Sequence, residues 1–197
     1  QGDKVASLAV PECGTKFVRG MLEDSKPQHF SDLVRISGFS HGTNVWLDNA
    51  QTLITEGICK LNEAISTRDD IMNYLMHKGI KPKTCFSVME NVRKGKGIDA
   101  KGKDTHYEEE LRKGNIPEWF IESCKKISYL FPRAHAVAYV MMAFRIAWFK
   151  INHPLAFYAA YFSIRAKAFD IKIMTGDLTT QLTEFRRIKI GRAHVWT

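Results

Sequence analysis

The sequence contains few cysteines, and they lack the spacing that metal sites and disulfide frameworks need. Cys13, Cys59, Cys85 and Cys124 lie far apart and form no C-x-x-C pair. That spacing argues against a zinc site and against a small disulfide scaffold, so we predict free, buried thiols. The first residues also lack the basic and apolar regions of a signal peptide, which predicts a cytoplasmic protein.

Long apolar runs and strand-like alternation are scarce as well. The most apolar stretch, residues 136–149, contains Arg145 and is shorter than the roughly 20 residues that a bilayer span needs. We predict that it forms a buried helix and that the protein has no membrane partner. Apolar residues recur instead at spacings of three and four, as in residues 68–78, which predicts a mostly α fold.

The charge balance favours an anionic partner. Lys and Arg total 29 against 21 Asp and Glu, a formal net charge of +8, and 45% of the residues are hydrophobic. This composition is typical of a globular protein. The positive excess favours nucleic acid or nucleotides, because phosphate contacts release condensed counterions. A merely basic soluble protein fits the same numbers, so the distribution of the charges has to decide.

Capping residues, prolines and glycines divide the chain into short helices after an irregular opening of residues 1–14. The polar sequence from Ser37 to Thr43 predicts a tight loop that a ligand can approach closely. A second predicted loop, mobile and exposed, covers Asp99 to Asp104 and carries Lys101 and Lys103. The predicted helices cover residues 16–24, a segment capped by Ser31, a segment that begins near Trp46, residues 68–78, a segment after Pro82, a segment from about His106, a segment from Pro117, residues 131–152 and a segment opened by Pro154.

One basic segment is suited to a phosphorylated ligand. The sequence Arg93-Lys94-Gly95-Lys96-Gly97 places three cations within four positions, and its glycines let the backbone approach an anion. A solvated helix end explains the same residues, because the helix dipole favours cations there.

A second segment, Phe131 to Tyr139, combines a cation, an imidazole and a phenol near the start of an apolar helix. His135 and Tyr139 are four residues apart and share one helical face. With Arg133 they could present a phosphate ligand, a hydrogen-bond donor and a stacking ring to one nucleotide. Satisfied core residues are the competing interpretation.

The carboxylates and histidines do not indicate a catalytic centre. The acidic clusters are Asp69-Asp70 and residues 108–110, and helix capping and solvation explain both. We therefore predict no metal site in this chain. His41 could pair with Cys13 or Cys124 as base and nucleophile, but no spacing in the sequence supports a hydrolase.

Five stretches of the sequence carry a resemblance to a known family. The chain resembles the PolC-type alpha subunit of bacterial DNA polymerase III, a C-family replicative polymerase, over about residues 5–171. Three departures are mild: Cys13 stands where an aromatic residue is expected, Phe39 where leucine is expected, and Arg133 where lysine is usual. The matching stretches are Val10–Arg19, Ile36–Trp46, Arg68–Met72, Met89–Gly97 and Phe131–Tyr139.

The resemblance implies a multi-helix fingers domain of a DNA-directed DNA polymerase used in chromosomal replication. Such a domain binds the incoming dNTP and the template, and closes over an upstream palm that holds Mg²⁺. The implied partners are primer–template DNA, dNTP and, through other domains, the sliding clamp and the replisome. The implied dNTP-binding residues are Arg93, Lys94, Lys96, His41, His135 and Tyr139, and also Arg133, Ser37 and Ser40, while Lys101 and Lys103 are the candidates for DNA binding.

The resemblance also suggests how the chain is divided. Residues 1–14 are predicted to connect to the palm, residues 15–170 to form the fingers, and residues 171–197 to begin a following segment. Residues 191–197 resemble a translated sequencing adapter, which predicts a non-native tail. A non-catalytic helical module that binds nucleic acid is the alternative function.

Overall fold

The computed structural model describes residues 5–100, 106–165 and 170–193, and within these ranges the chain is helical and contains no β-strand. The predicted mostly α fold is confirmed. The chain divides into two compact units, Gln1–Trp148 and Phe149–Thr197. The α-helices are α1 (Lys16–Ser25), α2 (Phe30–His41), α3 (Gln51–Thr55), α4 (Arg68–His77), α5 (Pro82–Arg93), α6 (Tyr107–Lys113), α7 (Glu118–Lys126), α8 (Arg133–Asn152), α9 (Pro154–Ala160), α10 (Ile171–Met174) and α11 (Leu178–Ala193), and π-helical turns cover Trp46–Ala50 and Tyr161–Arg165.

The first unit is built around one continuous apolar core. Leu75 of α4, Val88 of α5 and Phe120 of α7 are completely buried in it. The ring of Tyr74 stacks on that of Phe120, with centroids 4.3 Å apart. Burying a large apolar side chain stabilises a fold by about 1.5–3 kcal/mol. The core therefore fixes the helices that carry the candidate site.

The ends of α4 and α5 follow the sequence signals. Pro82 lies in the first turn of α5, where its missing N–H costs nothing. Gly79 follows α4 with a φ of 82°, and Gly95 follows α5 with a φ of 67°. Both values lie in the left-handed region, which glycine adopts without a steric penalty. The predicted ends of these two helices are confirmed.

The predicted start of α2 is wrong by two residues, because His29 rather than Ser31 occupies the cap position and Asp32 accepts a hydrogen bond from its backbone. The helix begins at Phe30, with His29 at the cap position. The Asp32 carboxylate accepts a hydrogen bond of 2.9 Å from the backbone N–H of His29. A carboxylate in a first helical turn also interacts favourably with the helix dipole.

The predicted loop from Ser37 to Thr43 is also wrong, because α2 continues through it to His41. Gly38 is buried within the helix, and a Cβ there would lie 2.6 Å from the backbone oxygen of Ser66. The glycine therefore serves the close approach of α2 to the segment before α4. Its role is packing and not loop flexibility.

A short extended segment, Ser128–Phe131, joins three parts of the first unit, and we call it the crossing segment. Its backbone exchanges hydrogen bonds of 3.0 Å with both the N–H and the carbonyl of Thr43. It donates one of 3.4 Å to the carbonyl of Arg93 and accepts one of 3.2 Å from the N–H of Arg68. The ends of α2 and α5 and the start of α4 therefore meet on this segment.

The helix α8 is apolar but mostly exposed, so the prediction of a buried helix is wrong. Its buried side chains are Ala136, Val140 and Ala143, whereas Phe144 and Trp148 are 56% and 49% exposed. An apolar composition on all sides of a helix does not specify how much of the helix surface packs against other elements. By length and by a mean hydropathy of 1.2 alone, α8 could cross a membrane, a test that core helices of soluble proteins also pass.

The second unit contains the end of α8 together with α9, α10 and α11. Pro154 opens α9, as predicted. Phe157 is buried in this unit and stacks on Tyr161, with ring centroids 6.3 Å apart. The domain limits at residues 14 and 170 stay predictions.

Candidate functional site

Four rings gather where α2 ends and α8 begins, and we call them the aromatic cluster: His41, Phe131, His135 and Tyr139. His41 stacks on Phe131, with centroids 4.8 Å apart and an interplanar angle of 22°. Its ring is nearly parallel to that of Tyr139 at 6.2 Å, and Phe131 meets His135 edge-on at 5.9 Å. Three residues predicted for a nucleotide pocket are thus brought together. Exposed rings of this kind can stack on a base.

The ring of His41 is held at both of its nitrogens. Nδ1 lies 2.8 Å from the carbonyl oxygen of Ser37, and Nε2 lies 3.0 Å from a carboxylate oxygen of Glu12. Both oxygens accept hydrogen bonds, so the two contacts fix the orientation of the imidazole. Glu12 reaches the ring from a left-handed backbone conformation with a φ of 65°.

The two serines predicted for the pocket support His41 from within α2. Ser37 is buried, and its hydroxyl has no hydrogen-bond partner in the described part of the chain. Ser40 donates a hydrogen bond of 3.0 Å to the carbonyl of Ser37 and lies 3.1 Å from Nδ1 of His41. Their contacts therefore place the imidazole.

The segment Arg93–Gly97, which we call the basic turn, follows α5. One carboxylate, that of Glu90, pairs with Arg93 at 2.8 Å and with Lys94 at 2.9 Å. Hydrogen bonds from Arg93, and then from Lys94, lower the pKa of Glu90 to about 2. Lys96 is exposed, and no carboxylate in the described ranges pairs with it. The basic turn thus keeps an excess of positive charge.

The crossing segment connects the basic turn to the aromatic cluster. Gly95 packs against its first residue so tightly that a Cβ would lie 2.6 Å from the carbonyl oxygen of Ser128. Phe131, its last residue, belongs to the aromatic cluster. Four extended residues span at most about 14 Å. The rings and the basic turn are therefore both attached to one short, hydrogen-bonded segment.

Arg133 does not join the aromatic cluster. Its guanidinium pairs with the Asp70 carboxylate, which also lies 3.4 Å from a guanidinium nitrogen of Arg35. Its backbone N–H donates a hydrogen bond of 2.9 Å to Asp69. Burial by itself would raise the pKa of Asp70, but the charge of Arg35, a hydrogen bond from Ser66 and the charge of Arg133 together lower it. This network ties α2, α4 and α8 together.

Some predicted residues lie outside this arrangement. Lys101 and Lys103, the candidates for DNA binding, are outside the described residues. In the ranges that the structure describes, no group of three or more His, Cys, Asp or Glu side chains is placed to hold a metal ion.

The cysteines are free, and three of them are buried as predicted, while Cys13 is only partly buried. Burial raises the pKa of the thiols, and that of Cys59 rises to about 11. Raised values keep a thiol protonated and unreactive at neutral pH. The nitrogens of His41 are engaged by Ser37 and Glu12, so the contacts do not support a cysteine–histidine pair.

Sequence reasoning missed Glu12, Glu90 and Arg35. Glu90 precedes Arg93 and Lys94 by three and four residues, and this spacing on a helix is a signal for ion pairs. The contacts of Glu12 with His41 and of Arg35 with Asp70 join separate segments, and no local spacing indicates them.

A family model described as the bacterial DNA polymerase III alpha subunit finger domain matches residues 3–115. The chain is also similar to proteins named DNA polymerase III PolC-type. It is 59% identical to the protein of Oceanobacillus iheyensis over 171 residues, and this alignment covers 87% of this chain and 12% of the relative. It is 60% identical to the protein of Thermotoga maritima over 166 residues, which are 84% of this chain and 12% of the relative. It is 57% identical to the protein of Bacillus subtilis over 173 residues, which are 88% of this chain and 12% of the relative.

Proposed function

The chain belongs to the finger-domain family of the bacterial DNA polymerase III alpha subunit, and from this membership we propose that it is part of a DNA-directed DNA polymerase used in chromosomal replication. It spans about 12% of the length of the PolC-type relatives that it matches. The activity, substrates and partners of a whole polymerase are accordingly proposals for this chain.

Within that function, the aromatic cluster and the basic turn together bind the incoming dNTP. The observation that carries this proposal is their attachment to the same crossing segment, which supplies Phe131 to the rings and donates a hydrogen bond from Leu130 to the carbonyl of Arg93. The rings of His41 and Tyr139 would stack on the base, and the cations would bind the triphosphate. Base stacking and charge-assisted hydrogen bonds are the two interactions that a nucleotide offers.

The triphosphate of a dNTP would replace the Glu90 carboxylate as the anion that the basic turn binds. Glu90 now pairs with Arg93 and Lys94, and it is partly exposed, with 23% of its side-chain surface accessible. A triphosphate carries more charge than one carboxylate and would displace it. Lys96 pairs with no carboxylate in the described ranges, so it would contact the triphosphate without first breaking an ion pair. Cations placed this way stabilise the charge on the transferring phosphoryl group.

The remaining parts of the reaction lie outside this chain's described residues. Mg²⁺ would supply the activation of the attacking hydroxyl and the charge neutralisation of the leaving group, held by carboxylates of a palm. Primer–template DNA, the sliding clamp and other replisome proteins are proposed partners of the whole polymerase, which would act in the cytoplasm. Closure of the fingers over the palm would add selectivity for the correct dNTP.

A nucleotide titration tests the proposal. The 197-residue chain is titrated with dTTP by calorimetry, alongside Arg93→Ala and Lys96→Ala. A hydrogen bond to a charged group contributes roughly 1.5–3 kcal/mol, so each change should weaken dTTP binding about 10- to 140-fold. Lys113→Ala is the control, because Lys113, like Arg93, pairs with a glutamate on its own helix but lies outside the basic turn and the aromatic cluster.

Two outcomes would contradict the proposal. If dTTP binding did not respond to Arg93→Ala and Lys96→Ala, the assignment of the triphosphate site would be wrong. If the chain bound DNA with a steep salt dependence and ignored dTTP, a non-catalytic module that binds nucleic acid would be the better account.

A further inference from the structure

A groove on the first unit lies between α1 and the π-helical turn Trp46–Ala50, and we call it the α1 groove. Its volume is about 440 Å³. The buried side chains of Met21 and Trp46 form its inner surface, and Phe17 and Leu47 border it, 44% and 58% exposed. An apolar surface with a polar border is typical of a protein-binding site. The other lining residues are Lys16, Gly20, Asp24 and Gln51.

The π-helical turn presents Leu47 to solvent in an uncommon backbone conformation. Leu47 has a ψ of 137°, and Asp48 has a φ of 55°, which lies in the left-handed region that residues other than glycine rarely adopt. Trp46 holds the turn from inside by packing on Phe39, with ring centroids 5.1 Å apart. This packing does not require an apolar residue at the next position. The internal contacts of the turn therefore do not account for an exposed leucine.

Gly20 lies in the middle of α1, where glycine is unfavourable for a helix. Nothing lies within 4 Å of a Cβ added there, so no close approach inside the described part of the chain requires glycine. Gly20 is exposed and lines the α1 groove. Phe17, three residues earlier, is on the same side of the helix. The missing side chain therefore leaves a hole beside an exposed ring, and a second helix can approach the backbone closely there.

The charges that line the α1 groove are arranged symmetrically around Gly20. Lys16 and Asp24 are each four residues from Gly20, about 6 Å along the helix axis. No carboxylate in the described ranges pairs with Lys16. Asp24 accepts a hydrogen bond of 3.0 Å from Gln51, and a carboxylate can accept several more. An antiparallel copy of α1 across Gly20 would thus place an acid opposite a lysine at both ends, the self-complementarity that a twofold dimer needs.

We propose that the α1 groove binds a second copy of this chain, with the two α1 helices antiparallel across a twofold axis at Gly20. Phe17 of each copy enters the hole beside Gly20 of the other, as ridges of residues four apart fit the grooves of a facing helix. Lys16 of each copy pairs with Asp24 of the other. One helix face per copy makes a small interface, so the association is weak and the dilute chain is monomeric. The inference does not depend on nucleotide binding.

Sedimentation velocity of the 197-residue chain tests whether the dimer forms. At concentrations up to about 1 mM, where a weak association becomes visible, the chain should pass from monomer to dimer. Gly20→Leu fills the hole with a residue that favours helix, so it should weaken dimerisation without lowering the thermal unfolding midpoint.

A charge exchange tests whether the second copy lies antiparallel. Lys16→Glu and Asp24→Lys each turn both attractive pairs of the dimer into repulsive ones, so each should raise the dimer Kd at least about fourfold. An equimolar mixture of the two variants should dimerise as tightly as the original chain, because the mixed dimer again contains two attractive pairs. The matched control is Lys83→Glu, which changes an exposed lysine in the first turn of α5, outside the α1 groove, and should leave the Kd unchanged.

Three results would overturn the proposal. A chain that stays monomeric up to about 1 mM would leave the α1 groove without this partner. A dimer whose Kd is the same in Lys16→Glu as in the original chain would have its interface elsewhere. A mixture of Lys16→Glu and Asp24→Lys that associates no more tightly than either variant alone would exclude the antiparallel pairing.

Discussion

Two sites in the first unit each place one carboxylate between two cations, and they differ in burial. Asp70 is 7% exposed and accepts hydrogen bonds from the N–H and hydroxyl groups of Ser66 and Thr67 in addition to its arginines. Glu90 is 23% exposed and pairs with Arg93 and Lys94 of the neighbouring turn. The first carboxylate joins separate helices, while the second pairs within one helix end.

This difference separates cations that maintain the fold from cations that are available to a ligand. Removing one partner of a buried ion pair is costly, because the other charge stays in a place that water reaches poorly. An exposed pair contributes little, since water solvates both groups when they part. Substitutions near Asp70 should therefore have large effects on stability. Substitutions near Glu90 should have small effects on stability and a clear effect on nucleotide binding.

The largest expected effect follows from Asp70→Asn. The change removes the charge between Arg35 and Arg133, and losing one partner of a buried pair costs roughly 3–5 kcal/mol. We expect the lower end of that range, because Arg133 is 39% exposed and can be solvated. Urea unfolding of the 197-residue chain measures the loss. An equal change in Asp24→Asn, an exposed acid bound to Gln51, would refute the assignment.

The same substitution has a pH signature. The pKa of Asp70 is lowered in the folded chain, so its contribution is present above the unfolded value near 3.9 and is lost as the pH falls through the folded value. The stability difference between the original chain and Asp70→Asn should be constant near neutral pH and should shrink below about pH 4. A difference that grew in acid would contradict this sign.

A smaller loss is expected from Gly38→Ala, on the same side of the comparison. A Cβ at this position would lie 2.6 Å from the backbone oxygen of Ser66, which is next to the donors that surround Asp70. Overpacking of this kind costs about 1–3 kcal/mol. Gly20→Ala is the control in α1, where nothing lies within 4 Å of an added Cβ, and it should stabilise the chain by about 0.5–1 kcal/mol. Similar signs for the two variants would contradict the packing argument.

The sequence predicted what depends on neighbours along the chain. Gly79, Pro82 and Pro154 mark helix boundaries because φ preferences and a missing N–H act locally. Phe131 was expected to begin a helix but lies in the crossing segment, where bonds to other segments hold it extended. His41, His135 and Tyr139 were predicted together from the resemblance, and their contacts agree with that grouping.

The remaining errors concern which segments meet in space. Gly38 reads as a loop residue until its packing against Ser66 is known. Arg133 seemed to belong with His135, but a rotation of about 200° around α8 separates them. The exposure of α8 depends on how much partner surface the chain supplies, which composition does not specify. These features are tertiary, and no spacing in one segment encodes them.

The smallest effect on stability is expected from Glu90→Gln, and it bears directly on the comparison. The pair is partly exposed to water, so the free energy of unfolding should change by no more than about 1 kcal/mol. Because glutamine frees Arg93 and Lys94 for phosphate, dTTP should bind roughly 1.5- to 5-fold more tightly, the factor that 0.2–1 kcal/mol allows. Glu109→Gln, which frees Lys113 on α6, should change stability as little and leave dTTP binding unaltered. Weaker dTTP binding in Glu90→Gln would mean that the carboxylate positions these cations for the nucleotide and does not compete with it.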